Sequence, residues 1–179
     1  MYNLTVNQEI EVRKEFRKQL DEMQARDKAL WVEFIMAPAA RSHHQNYKRG
    51  LLEHSGKFAM WLWGRVLGCK RIQLTLQECV KIALLHDICK LYLYKENGRG
   101  YYDCDPQLYP HHAKRSLELA KQMGYELSQK ERICILLHMA GGWWNDEDED
   151  LLTTNDRKWI GENITLVSAV QWADMKACE

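Results

Sequence analysis

The sequence predicts an all-α fold in a single domain. Three observations carry this. Apolar residues recur at helical spacing along most of the chain, helix-start signals precede the strongest of these stretches, and no strand-like alternation is long enough to build a sheet. At 179 residues the chain is long enough to bury a core without disulfides or a structural metal.

The elements follow in order. The tetrapeptide "TVNQ" at 5–8 has the form of a capping box, and Ile10, Val12, Phe16, Leu20 and Met23 then recur as one stripe. This predicts a long N-terminal helix running toward Phe34 and stopping before Pro38, an extension over 1–37 that packs on a domain spanning 38–179. The same stripe also suits pairing of two subunits. A loop through "PAARSHHQNYKRG" leads to a helix over 51–67, stopped at Gly68. A second capping box, "TLQE" at 75–78, opens a helix expected to end near Tyr94. Gly98 and Gly100 mark a turn, "DCDPQLYP" continues as an irregular link, and "HHAKRSLELAKQMG" reads as a helix closed by Gly124. "SQKE" at 128–131 is a third capping box, opening a helix through "RICILLHMA". The final helix is "ITLVSAVQWADMKA", with Asn163 as its cap. The acidic tract "NDEDED" at 145–150 reads as a solvated loop.

Composition narrows the function classes. Basic and acidic side chains balance at 25 each, which withholds the charge signature of a nonspecific nucleic-acid binder. The opening residues carry no apolar signal core and no window is apolar enough for a membrane span, so a cytoplasmic protein is expected. Six cysteines without C-x-x-C spacing read as reduced core thiols.

Polar residues in apolar company are the informative feature. His86 and Asp87 interrupt "ALLHDICKLY", where adjacent helical positions lie about 100° apart, so both cannot face solvent. A carboxylate near a core needs a partner, which a structural network or a cation supplies. His54 in "GLLEHS", His138 in "CILLHMA" and Asp174 in "QWADMKA" repeat the pattern on other helices, and a bundle can converge such groups. Imidazoles with carboxylates suit divalent Mn, Fe, Co, Ni or Zn.

The ordered set "RGLLEHS", "LLHDICK" and "WADMKA" resembles the HD-domain superfamily of metal-dependent phosphohydrolases over roughly residues 38–177. The resemblance implies an HD-type helical bundle and makes His54, His86, Asp87 and Asp174 the protein ligands of one divalent metal, Mg included among the candidates. His112 and His138 would serve a second ion, with His111 the less fitting neighbour of His112. Asp87 would ligate and orient the nucleophile, and Lys90, in the position of the family's "HDxGK", would steady Asp87 or a phosphate. The stretch "PAARSHHQNYKRGLLEHS" is similar to the exoribonuclease branch of the family, with Arg49 where that branch has a Gly. Cys89 likewise stands where the family usually has Gly. His44, Lys48 and Arg49 are then candidate phosphate contacts and Trp143 a stacking platform for a base.

The implied activity is hydrolysis of a phosphoester or phosphoanhydride bond in a nucleotide or other small phosphorylated substrate. A small nuclease acting on single-stranded RNA or DNA ends is the alternative the local similarity suggests. A metal-binding regulatory protein without turnover, or an oxygen-activating di-iron protein, would use the same ligand types.

Overall fold

A computed structural model describes residues 4–40, 45–98, 102–104, 111–139 and 151–179. The chain is mostly helical, as the periodicity predicts. Its elements are α1 (Val6–Arg26), α2 (Lys28–Met36), α3 (Gly50–Gly68), α4 (Leu76–Leu85), α5 (Lys90–Leu93), β1 (Tyr94–Glu96), β2 (Tyr102–Cys104), α6 (His112–Gln122), α7 (Gln129–Leu136), α8 (Thr154–Glu162) and α9 (Ile164–Ala177). Among the described residues, no helix is long and apolar enough to cross a membrane.

The three capping boxes form as read. Thr5, Thr75 and Ser128 each accept a hydrogen bond from the backbone three residues on, and Gln8, Glu78 and Glu131 return it. A fourth, Thr153 with Asp156, opens α8, a helix that follows the acidic tract and that the sequence does not predict.

The expected long N-terminal helix is two helices. Asp27 ends α1 with an extended backbone and at once caps α2, its Oδ1 accepting from Leu30 N–H at 3.0 Å. An Asp side chain that bonds the backbone in this way competes with helix continuation. Arg26 fixes the corner, its guanidinium over the Tyr125 ring and its Nη1 donating to Gly124 O at 3.0 Å. The helix expected to run to Tyr94 is also shorter: α4 stops at Leu85, a turn carries residues 86–89, and α5 adds four residues. A short antiparallel hairpin follows, pairing Tyr94 with Cys104 and Glu96 with Tyr102. Three-residue strands are too short to leave an alternation in the sequence. Asn163 precedes α9 but does not cap it; its Nδ2 donates backward to Trp159 O.

Helix α3 is the centre of the packing. It lies against α9 and α4, and also against α1 and α2, while α7 packs on α4 and α6. Val12, Met23 and Phe34 of the first two helices belong to the same buried cluster as Leu51, Phe58, Ile82, Leu85 and Val170. A smaller cluster of Ala113, Ile133, Leu137 and Val167 sits under α6, α7 and α9.

The segment before α3 is tightly tied. Leu51 N–H donates to Ala37 O and Ala39 N–H to Gln45 O, each at 3.0 Å, while Gln45 Nε2 donates to Ala177 O at 2.9 Å. Gly50 is obligatory: a Cβ there would lie 1.9 Å from Gln45 O. Arg49 is left-handed, with φ 74°, a conformation costing a non-glycine residue roughly 1–2 kcal/mol. This explains physically why a Gly suits that place.

Arg49→Gly should raise folding stability by about 0.5–1 kcal/mol in a denaturant titration, the relief of the left-handed backbone outweighing the added freedom of the unfolded chain. Asp156 is buried; burial alone would raise its pKa, but bonds from Gln129, Arg132 and Thr153 hold the carboxyl well below the usual range. Asp156→Ala should therefore cost about 2–4 kcal/mol. The contribution is complete above about pH 4, the ordinary Asp value, and is lost as pH falls toward the lowered folded-state value, so wild type and variant should converge in acid.

Candidate metal centre

Six side chains from five segments meet in the interior: His54 of α3, His86 and Asp87 from the turn after α4, His112 at the start of α6, His138 just past α7, and Asp174 of α9. All six are buried, four of them within 2 % of full occlusion.

Helix ends position two of the imidazoles. Both α4 and α7 stop where a histidine follows, leaving carbonyls without helical partners. His86 Nδ1 donates to Ala83 O at 2.9 Å and His138 Nδ1 to Ile135 O at 2.7 Å, each three residues back. These bonds direct both Nε2 atoms into the cluster, and the negative ends of two helix dipoles favour a cation there. Phe58, one turn after His54, stacks on the His86 ring at 4.6 Å between centroids. Gln171 Nε2 donates to Leu137 O at 3.0 Å, bracing the turn that carries His138.

The donor atoms fall into two groups. In the first, His54 Nε2 lies 3.2 Å from His86 Nε2 and 3.0 Å from Asp174 Oδ1, and His86 Nε2 lies 3.2 Å from Asp87 Oδ2. In the second, His112 Nε2 and His138 Nε2 are 3.3 Å apart, at 3.9 and 3.6 Å from Asp87 Oδ1. Asp87 thus belongs to both, one oxygen toward each.

This geometry fits a divalent ion. Metal–nitrogen bonds of about 2.0–2.1 Å set ligand atoms roughly 3.0–3.4 Å apart around the ion, the spacing found between both imidazole pairs. Two imidazole nitrogens facing each other at that distance need a cation or a proton between them. Asp87 Oδ1 is buried and accepts no hydrogen bond from any described residue, the state of a carboxylate oxygen left for a cation. The buried groups can therefore hold metal, and the donor set of nitrogen and oxygen needs no thiolate.

Charges in the cluster are strongly coupled. Burial pushes His54 down, only partly offset by Asp174, which keeps its imidazole neutral. Burial also opposes charge on His86, but the Asp87 and Asp174 carboxylates outweigh it and raise its pKa to about 9. Against burial, Lys90 and His86 hold Asp87 well below the carboxylate range, and His54 and His86 do the same for Asp174. Lys90 Nζ sits 2.6 Å from Asp87 Oδ2; burial would lower its pKa, yet Asp87 keeps the ammonium charged.

Of the residues singled out in the sequence, the structure brings together His54, His86, Asp87, His112, His138 and Asp174, with Lys90 on Asp87. Between His111 and His112, it is His112 that faces His138; His111 lies just outside α6 and belongs to neither group. Lys48 and Arg49 are exposed and belong to neither donor group; Lys48 Nζ lies 3.7 Å from Glu96 Oε2 on the hairpin. His43, His44, Trp143, Trp144 and the acidic tract at 145–150 lie outside the described residues. Cys89 belongs to neither donor group among the described residues, and burial pushes its thiol up to about 12, so no thiolate stands beside the centre. Gln171 and Phe58 escaped the sequence reading, though each sits one helical turn from a recognised residue.

Comparison with protein-family models, curated proteins and solved structures yields no significant match.

Because His86 is protonated at neutral pH without metal, an incoming ion must displace its proton. Metal affinity should therefore rise about tenfold per pH unit from neutrality toward pH 9 and level off above it, with about one proton released per ion bound in the first group. Calorimetric titration with Zn2+ or Mn2+ in buffers of differing ionisation enthalpy checks both the slope and the proton count.

Proposed function

We propose that this chain is a metal-dependent phosphohydrolase of the HD type, cleaving a phosphoester or phosphoanhydride bond of a nucleotide or other small phosphorylated substrate. One observation carries the reading: a single buried aspartate turns one oxygen toward a His-His-Asp group and the other toward a His-His pair. That arrangement has little use in a purely structural network, where the second oxygen would accept a hydrogen bond. The order of these residues in the chain, His54, then His86-Asp87, then Asp174, matches the resemblance noted above.

His54, His86, Asp87 and Asp174 would hold one ion, and Asp87, His112 and His138 a second. A divalent ion held by these residues would supply a bound water with its pKa lowered to roughly 7 and a Lewis acid for a phosphoryl oxygen. The protein's own contribution is fixed charge and fixed geometry. The Ala83 and Ile135 carbonyls hold the His86 and His138 rings in one tautomer, so neither must reorient when substrate arrives. Lys90 keeps Asp87 ionised and places a positive charge where a phosphate oxygen can share it. The apolar shell of Phe58, Leu85 and Ile88 keeps the dielectric low around these charges, which strengthens them.

The deciding experiment combines metal content with turnover. Wild-type protein should retain ions on gel filtration and release phosphate from members of a nucleotide panel. Asp87→Ala should lose metal from both groups and drop kcat/KM by more than ~100-fold, with the helical circular dichroism unchanged. His138→Ala should lose ions from the second group alone. Protein that holds metal yet cleaves neither the panel nor a single-stranded oligonucleotide would sink the hydrolase reading in favour of a metal-binding protein without turnover. Cleavage of the oligonucleotide alone, with binding that weakens steeply in salt, would favour the nuclease.

A further inference from the structure

A small cavity lies between α6 and the segment that follows Asp87. It has a volume of about 150 Å³ and is bounded by Cys89, Tyr92 and Leu93 from one segment and by Arg115 and Leu119 from α6. A complete small-molecule site occupies roughly 300–1,000 Å³, so this space suits one substituent of a ligand rather than a whole one. Its walls are the two segments that carry the cluster. Cys89 is two residues past Asp87, Arg115 is three past His112, and Cys89 N–H donates to Ser116 Oγ at 3.3 Å, clamping the segments together. Three residues on a helix advance about 4.5 Å along its axis and stay on one face, which sets the Arg115 backbone within one turn of His112.

Arg115 is the unusual member. Its Nε is sealed from solvent without a hydrogen-bond partner, and no carboxylate among the described residues pairs with its guanidinium; Glu118, on the same wall, stays out of ion-pair range. An occluded guanidinium N–H without an acceptor carries a desolvation cost that an arriving anion removes, and its planar fork suits two phosphoryl oxygens at once. The apolar floor of Leu93 and Leu119 strengthens such a contact by excluding water.

We infer that this cavity is an anion subsite that takes a second phosphoryl group of the substrate, with Arg115 as its specificity-determining residue. The inference rests on the phosphohydrolase reading and narrows it: the protein selects substrates with two or more linked phosphoryl groups over phosphomonoesters.

Calorimetric titration with inorganic phosphate and inorganic pyrophosphate, on both metal-loaded and chelator-treated protein, tests this without turnover. In loaded wild type, pyrophosphate should bind about tenfold or more tightly than phosphate, the scale of one charge-assisted contact. Arg115→Gln should bring that ratio toward one, and Arg115→Lys should keep part of it, as a point charge in place of a fork. In chelator-treated protein, Arg115→Gln should still weaken pyrophosphate at least threefold. A ratio unchanged by Arg115→Gln, in a variant with the wild-type melting temperature, overturns the inference; should that variant not fold, full retention of the ratio at wild-type strength in Arg115→Lys does so. Failure of the metal reading is distinguishable, since it shows as absence of ions in the loaded protein, and the chelator-treated arm then decides Arg115 alone.

Discussion

The Asp87 carboxylate is the constraint around which the interior is organised. A buried carboxylate is tolerable only when several positive or donating groups surround it, and here they come from separate elements: His86 from its own turn, Lys90 from the start of α5, His54 from α3, His112 from α6 and His138 from just past α7. No two neighbouring helices could supply that shell. The packing of α3 against both α4 and α9, and of α7 against α4, is what brings it together. Lys90 and the His86 imidazolium balance Asp87 and Asp174 in the metal-free protein, so the cluster is near neutral before an ion enters. Exchange of the His86 proton for a divalent ion would leave the cluster with net positive charge.

Helix termini do much of the positioning. Ending α4 and α7 at His86 and His138 gives each ring a backbone carbonyl to bond, orients Nε2 inward and points two dipole ends at one place. Had α4 continued to Tyr94, Ala83 O would have been taken by a backbone N–H and the ring would have lost its anchor. The early stop is therefore part of how the site is built. The tie from Gln45 to Ala177 works at the other side, holding the start of α3 to the end of α9 so that His54 and Asp174 share a contact at 3.0 Å.

Arg49 and Arg115 illustrate two ways in which a cation can sit at a cost. Arg49 carries its cost in the backbone, at a left-handed position where glycine would be free of strain. Arg115 carries its cost in an occluded, unbonded N–H beside the centre. The first is exposed on the loop before α3; the second lines a cavity beside Cys89, two residues past Asp87. Surroundings separate a strained loop residue from a candidate ligand contact, and the linear sequence shows no such difference between the two arginines.

The sequence by itself determined the helical class, three of the helix starts and the polar residues that the core would have to accommodate. Those features are local: a capping box spans four residues, an apolar stripe repeats within one helix, and a carboxylate among leucines is visible wherever it falls. Only the tertiary structure decided the break at Asp27, the early ends of α4 and α7, the hairpin, the choice of His112 over His111, and the joining of the two donor groups through Asp87. Each of these depends on partners distant in the chain or on single backbone bonds that leave no periodic trace. Asp27 reads as one more polar residue until its side chain is seen to cap α2. His54 and Asp174 are 120 residues apart, and what brings them into contact is the packing of α3 on α9.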